Sequence, residues 1–410
     1  MQWVLYVSAK KLMHKIKALV YNKPLILILW FGLSLFAVIK GVLVFSGPVN
    51  QNYNNYIIYK HNFLNVINQH SLFGPEPLFY FDLNHYGPVF ALIIAPFTFL
   101  PDGIGAILWV LFLTWILYLA IRKMPLNHNQ QMVILLLNAN SMMGSSGNVQ
   151  VNPLIIALVI FSFIFIRNKQ DFWAALMIVI GTAIKLYGVV GLAFFFFSDN
   201  KIKLILGLLF WSVVLFLLPM AISSPHYIIQ TYHDWYPDLL AKNAANVNSH
   251  RAYVCVMGVI SSVFGIVRLS NLTVLLPAMA IFGFSLIRIK YWGNVKYQLL
   301  TLASVLIFTT IYSSGSEPPT YIIAFIGVGI WFVNLERPIT LFERFLIIFA
   351  LLLTSFGASD LFPRYVRVNY ILRYNLIAVP CFIIWIKIIY EMLTRKFDNE
   401  TNKIGPQPVN

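Results

Sequence analysis

The sequence runs to 410 residues, of which 59% are hydrophobic and 10% charged, with a net charge of +15. Soluble domains carry roughly a quarter charged residues, so a soluble fold is excluded and most of this chain has to face lipid or other apolar helices. The basic residues sit in short connectors between apolar runs, which argues for membrane topology and against nucleic-acid binding.

Crossing about 30 Å of hydrocarbon takes roughly 20 apolar residues. The first such run, 24–45, follows Lys10, Lys11, Lys15, Lys17 and Lys23; it is too long for a signal peptide and lacks a small-residue cleavage site, so it reads as a retained span starting inside. Further spans are expected near 103–121, 130–146, 152–166, 171–185, 187–197, 202–222, 272–287, 297–313, 319–334, 345–358 and 374–390, about twelve in all. Two apolar segments, 88–100 and 253–267, are too short to cross and read as re-entrant or interfacial. The expected fold class is an all-α polytopic membrane protein. Residues 1–396 form one transmembrane domain with outer loops 46–87 and 223–251, and 397–410 read as a disordered cytoplasmic tail. The first outer loop carries an amphipathic helix near 56–67. Cys255 and Cys381 lie far apart in apolar segments and read as packing residues.

With that assignment, nineteen Lys and Arg fall inside and eight outside: Lys60, Lys185, Lys242, Arg251, Arg268, Arg364, Arg367 and Arg373. Lys40 and Lys387 lie within spans, near enough to their ends to snorkel. Acidic residues divide seven and seven. The bias places both termini in the cytoplasm of a multi-pass protein of the cell (inner) membrane.

The sequence has no G-x-S-x-G elbow, P-loop, G-x-G-x-x-G turn or H-E-x-x-H helix. Instead, polar residues gather at the outer ends of spans, where they are costly unless they face a cavity or a partner. Lys185, in Gly181-Thr-Ala-Ile-Lys-Leu-Tyr-Gly188, is a lone cation in an apolar hairpin. It suits a ligand phosphate, or else an internal salt bridge. Gln150 and Asn152, in Gly147-Asn-Val-Gln-Val-Asn152, open a span where amides and backbone donors suit phosphate or sugar hydroxyls; helix capping is the plainer alternative. Asp82, in Phe81-Asp-Leu-Asn-His-Tyr-Gly-Pro88, is placed to act as a general base or to pair with an outer arginine. Glu317 and the Asp360–Arg364 connector are kept non-helical by prolines, and Glu317 is a partner for Lys185 or Arg251. His250 and Arg251 are candidates to hold phosphate, with a surface role as the alternative.

The run Tyr86-Gly-Pro-Val-Phe-Ala-Leu-Ile-Ile-Ala-Pro-Phe-Thr-Phe-Leu-Pro101 resembles the Y-x-P-x-F-x-L-x-x-x-P-x-x-x-L-P signature of bacterial family-87 glycosyltransferases, the polyprenol-phosphate-mannose-dependent mannosyltransferase-like proteins of the GT-C superfamily. Gln150 and Asn152 are similar to that family's G-Q-x-N element, and Ile184-Lys185-Leu-Tyr187 to its K-P-Y element. The resemblance covers roughly residues 24–335. It implies a GT-C-type membrane enzyme with an outward-facing site that transfers a sugar, mannose or a related hexose, from a polyprenyl-phosphate donor to a glycan or glycolipid acceptor.

The resemblance also assigns roles. Asp82 becomes the catalytic base. Lys185, His250 and Arg251 hold the donor phosphate, and Asn55, Asn84, His85, Gln150, Asn152, Tyr187 and Glu317 contact sugar or acceptor. No cofactor is expected; many members need no metal, and a divalent ion stays an open alternative. One departure stands out. Where members carry an acidic residue in a D-F-x-x-Y-like context, this chain has Asn54-Asn-Tyr-Ile-Ile-Tyr59, and Asn55 cannot be a base. Of the two acids in that loop, Glu76 and Asp82, the latter is preferred. The rival readings are a multi-span transporter or flippase and a catalytically inactive family member.

Overall fold

A computed structural model of the chain describes residues 22–44, 52–247, 253–266 and 270–397. The expected tail beyond residue 397, the N-terminal lysine cluster before Lys23, and His250, Arg251 and Arg268 lie outside the described residues. Among those described, every regular element is helical, and extended segments pair only at the isolated bridge between Pro75 and Leu83.

In chain order the helices are α1 (Lys23–Leu43), α2 (Asn54–Asn68), α3 (Pro88–Thr98), α4 (Asp102–Lys123), α5 (His128–Gly147), α6 (Asn152–Arg167) and α7 (Asp171–Ile184). A 3-10 segment, Leu186–Phe197, precedes α8 (Lys201–Leu217), α9 (Pro225–Val247), α10 (Val256–Phe264) and α11 (Asn271–Ser285). The chain continues through α12 (Val295–Ile311), α13 (Ile322–Val333), α14 (Leu341–Phe349) and α15 (Ala378–Thr394). Each apolar run expected to span is largely helical over its described part, although 374–377 form a turn before α15. Three stretches, Lys23–Leu43, Asp102–Lys123 and Lys201–Ala221, combine the length and apolarity needed to cross a bilayer.

Burial separates the centre from the rim. In α6, α12 and α13 nearly every side chain is buried, as a helix apolar on all sides requires when other helices surround it. By contrast, α8 buries only Leu204, Gly207 and Leu215, leaving Ile202, Leu206, Leu209 and Phe210 exposed; α11 likewise exposes Leu272, Leu276, Met279 and Phe284. Such apolar faces are stable only against lipid, and the chain is a membrane protein.

The ion pairs fall into two groups, one at each end of the helices. Lys60–Asp102, His61–Glu76, His85–Asp238 and Arg367–Asp360 each join residues assigned to the outer side. Lys169–Asp199, Arg395–Glu336 and the Lys387–Glu343–Glu391 triad join residues at the opposite end of the helices. None of the ion pairs among the described residues crosses between the two ends.

Two features position the site. Helix α7 and the 3-10 segment form a hairpin whose base is closed by Ser198 Oγ donating to Asp171 Oδ1 at 2.6 Å. Fourteen residues rise about 21 Å, so the tip at Lys185 stops short of a full crossing. The hairpin's two limbs touch at Gly181 and Gly188, where a Cβ on Gly188 would fall 2.1 Å from the Gly181 carbonyl carbon. Second, the segment 223–251, expected as a loop, is mostly helix: α9 starts with Pro225, whose fixed φ suits a first turn, and runs 23 residues through Pro237.

Candidate active site

A cavity of about 440 Å³ lies where the outer-assigned ends of the helices meet. Its walls come from six separate parts of the chain, one of them the hairpin tip 184–187. The start of α2 supplies Asn54, Asn55 and Ile58. Asn54 Oδ1 accepts from the Phe81 amide at 3.2 Å and so pins the second wall, the segment 81–86. Asn55 Nδ2 donates to the Asn148 carbonyl at 2.7 Å. The residue at the position of the missing acid therefore lines the cavity and ties α2 to the third wall.

In segment 81–86, Asp82 is exposed on the cavity wall, and among the described residues its Oδ1 accepts only the neighbouring Leu83 amide at 2.8 Å. Glu76, the other acid of this loop, is occupied by His61 Nδ1 at 3.1 Å and by the Asn65 amide. Asn84 is buried and does not reach the cavity: it donates to the Leu72 carbonyl and accepts from the Tyr86 amide, both at 3.1 Å, shaping the turn that carries Asp82 and His85.

The third wall is the turn between α5 and α6. Val149, buried and β-branched, sits at φ 48°, a left-handed conformation such a residue resists. This turn sets Gln150 facing the cavity. Asn152 stands just behind and links the motif to the hairpin, donating through Nδ2 to Gln150 Oε1 and accepting from Lys185 Nζ through Oδ1, both at 3.2 Å. Lys185 also lies 4.5 Å from the centre of the Tyr187 ring. It is half-buried, with no carboxylate in ion-pair contact among the described residues. An ammonium has three donors, and Asn152 takes one.

The fourth wall is the connector after α12, with Ser313, Ser314, Gly315, Glu317 and Thr320. Tyr187 OH and Ser313 Oγ are 2.6 Å apart, fixing the connector to the hairpin tip. Glu317 forms no ion pair among the described residues, although Lys185 and Lys242 both act on it through space. Burial raises its pKa above the ordinary 4.5, Lys185 and Lys242 pull it down, and Asp82 adds to the rise.

Helix α9 is the fifth wall. Trp235, Leu239, Lys242, Asn243 and Asn246 all line the cavity, and their spacing of four, three, one and three residues is a single helical face. Trp235 Nε1 donates to the His85 carbonyl at 2.9 Å, and Asp238 Oδ2 lies 2.7 Å from His85 Nδ1. A carboxylate only accepts, so Nδ1 carries the hydrogen. At the other end Asn243 Oδ1 accepts from Ser314 Oγ at 2.6 Å and Asn271 Nδ2 at 2.8 Å.

The structure thus brings Asp82, Lys185, Asn55, His85, Gln150, Tyr187 and Glu317 to one cavity and places Asn84 and Asn152 directly behind its wall. His250 and Arg251 fall outside the described residues. Asp360 pairs with Arg367 and is not part of the lining. Sequence reasoning missed the amides Asn52, Asn148, Asn243 and Asn246, the cation Lys242 and the hydroxyls Ser313 and Ser314. The available signal was the helical spacing of residues 235–246, hidden while the segment was read as a loop. Side-chain amides both donate and accept, as sugar hydroxyls do, and Ile58, Phe81, Leu83, Leu186 and Leu239 add an apolar side. No group of three or more His, Cys, Asp and Glu side chains converges as a metal cluster among the described residues.

No curated protein matches the chain. The sequence model of glycosyltransferase family 87 matches residues 84–314. That range holds Gln150, Lys185 and α9 and ends inside the 313–320 connector, with Asp82 two residues before it and Glu317 three after. Covering more than half of the chain, and containing three of the six cavity walls in full (the α5–α6 turn, the hairpin tip and α9), the match shows that the chain belongs to glycosyltransferase family 87.

Proposed function

We propose that this glycosyltransferase moves a hexose, mannose or a close relative, from a polyprenyl-phosphate donor to an acceptor hydroxyl on the non-cytoplasmic side of the cell membrane. The setting is a multi-span GT-C-type domain with both termini in the cytoplasm. The observation that carries the reading is the pairing, in one cavity, of a carboxylate without a cation partner and an ammonium without a carboxylate partner among the described residues: Asp82 and Lys185.

The chemistry follows from where charge develops. The acceptor oxygen bonds to the anomeric carbon as that carbon's bond to the phosphate oxygen breaks. The electron pair leaves with the polyprenyl phosphate, and the acceptor's proton goes to Asp82. Attack from the face opposite the phosphate inverts the anomeric centre. A positioned base contributes typically 10²- to 10⁴-fold, and fixed charge on the leaving phosphate about 10²- to 10³-fold. Lys185 supplies that charge, oriented by Asn152 and the Tyr187 ring. The amide-rich walls suit a sugar ring, and Phe81 and Leu186, both exposed beside the cavity, suit the first prenyl units. A carrier instead holds its substrate near the membrane midplane, whereas this cavity lies among the connectors at one end of the helices.

The test is incubation of the purified protein in lipid nanodiscs with polyprenyl-phosphate sugars and a panel of glycan and glycolipid acceptors, read by mass spectrometry. Transfer from a polyprenyl-phosphate hexose, lost on Asp82→Asn in a folded protein, is the expected result. Transfer from nucleotide sugars alone, or full turnover by Asp82→Asn, would overturn the donor or the base respectively.

A further inference from the structure

We propose that Lys242, on the cavity face of α9, is the second cation of the donor-phosphate site, sharing the cavity with Lys185 and Glu317. The inference deepens the polyprenyl-phosphate reading and rests on it.

Three observations carry it. Lys242 lines the same cavity as Lys185, is half-buried, and forms no ion pair or hydrogen bond through its side chain among the described residues. Taking a lysine head partly out of water without a partner is unfavourable, so an anionic occupant offsets a cost the empty cavity leaves standing. Helix α9 is also fixed at both ends of its cavity face. Trp235 and Asp238 hold it to His85, and Asn243 holds it to Ser314 and Asn271, so Lys242 projects from a braced wall.

Charge balance is the third observation. Glu317 feels both ammoniums. With Glu317 and Asp82 both ionised, Lys185 alone leaves the cavity net negative, which repels the phosphodiester linking sugar to polyprenol in the proposed donor. Lys242 cancels that excess, so the phosphate no longer meets net repulsion. A charge-assisted hydrogen bond to phosphate contributes about 1.5–3 kcal/mol, so losing one should weaken binding about tenfold or more.

The experiment compares two ligands differing only by the phosphate, undecaprenyl mannosyl phosphate and undecaprenyl mannoside, binding to the full chain in nanodiscs. Wild type is expected to prefer the phosphate compound. Lys242→Gln should cut that preference about tenfold while leaving mannoside binding and the melting temperature unchanged, and Lys242→Arg should restore most of it. The inference is overturned if Lys242→Gln keeps the preference within about twofold of wild type, or if mannoside binding falls equally. In either case a wild-type preference for the phosphate leaves the donor reading in place. If wild type does not distinguish the two ligands, the donor reading itself falls, and the role of Lys242 with it.

Discussion

The hairpin that carries Lys185 depends on two glycines, and replacing one should disable the site from a distance. Alanine at 188 would place its Cβ 2.1 Å from the Gly181 carbonyl carbon, 2.2 Å from the Thr182 nitrogen and 2.5 Å from the Gly181 Cα. All three obstacles are backbone atoms, so no side-chain rotation relieves them. Restoring an ordinary contact of 3.4 Å requires the limbs to part by about 1.3 Å, and Lys185 sits in the turn between them. Its bond to Asn152 is already 3.2 Å long and does not survive an added ångström. Misplacing a reacting group by about 1 Å costs on the order of 10²-fold in rate, and overpacking costs about 1–3 kcal/mol in stability. The expected outcome for Gly188→Ala is therefore a roughly hundredfold loss of sugar transfer with weakened donor binding, in a protein that still inserts and folds. Gly181→Ala meets its nearest atom at 3.0 Å and should lose less. The assay is single-turnover transfer by mass spectrometry, with thermal melting in the same nanodiscs as the folding control. Wild-type turnover by a folded Gly188→Ala protein would refute the claim that this contact positions Lys185.

Lys185→Met should weaken donor affinity far more than acceptor affinity, measured by titrating each separately; equal losses would mark Lys185 as a packing residue. Asn55→Asp should not supply a better base. It removes the donor to the Asn148 carbonyl and sets two oxygens about 2.7 Å apart, so a loss of about 1–3 kcal/mol is expected as a lowered melting temperature, with no gain in turnover. Glu317 gives a pH dependence of definite sign. Its carboxyl titrates above the ordinary range because burial disfavours the anion, with Lys185 and Lys242 opposing. As pH falls through that raised value Glu317 gains a proton, the cavity becomes more positive, and a phosphodiester, whose own charge stays fixed, binds more tightly. Glu317→Gln should flatten this dependence and hold affinity at its acid-side level. An unchanged pH profile in the variant would remove Glu317 from the anion site.

What the sequence made legible was local. Apolar runs marked the helices because a span has to be continuous, and the lysines and arginines marked its ends because they cannot rest in lipid. Asp82 and Lys185 stood out as charges in apolar surroundings. The fifth wall was hidden for a different reason. The stretch 225–247 is polar overall, and only a 3.6-residue register shows that Trp235, Leu239, Lys242 and Asn246 share a face while Tyr236 and Leu240 point away into exposure. Asn148 and Asn243 gave no signal because an asparagine near a helix end ordinarily caps or solvates, and only their partners, the Asn55 amide and the Ser314 hydroxyl, show otherwise. The strain at Val149 lies in a backbone angle that valine does not advertise.

The setting of Asp82 bears on how a lipid-borne sugar and a water-borne acceptor meet. Around this carboxylate Leu78, Phe79, Phe81 and Leu83 are all exposed, Leu78 to 85%. A charged group flanked by bare apolar side chains is unstable both in bulk water and in hydrocarbon, and it rests best at the boundary between them. Lys185 reaches the same cavity from a hairpin tip that stops short of a full crossing, which is the depth of a phosphate whose tail stays in lipid. In the proposed reaction the donor needs no extraction from the membrane, its phosphate meeting the hairpin while its sugar meets Asp82 and the amide walls. The proposed acceptor hydroxyl arrives from the aqueous side, where the carboxylate is exposed. A base placed deeper would be closed to a water-borne acceptor, and a lysine placed shallower would bind free phosphate as readily as a lipid-linked one.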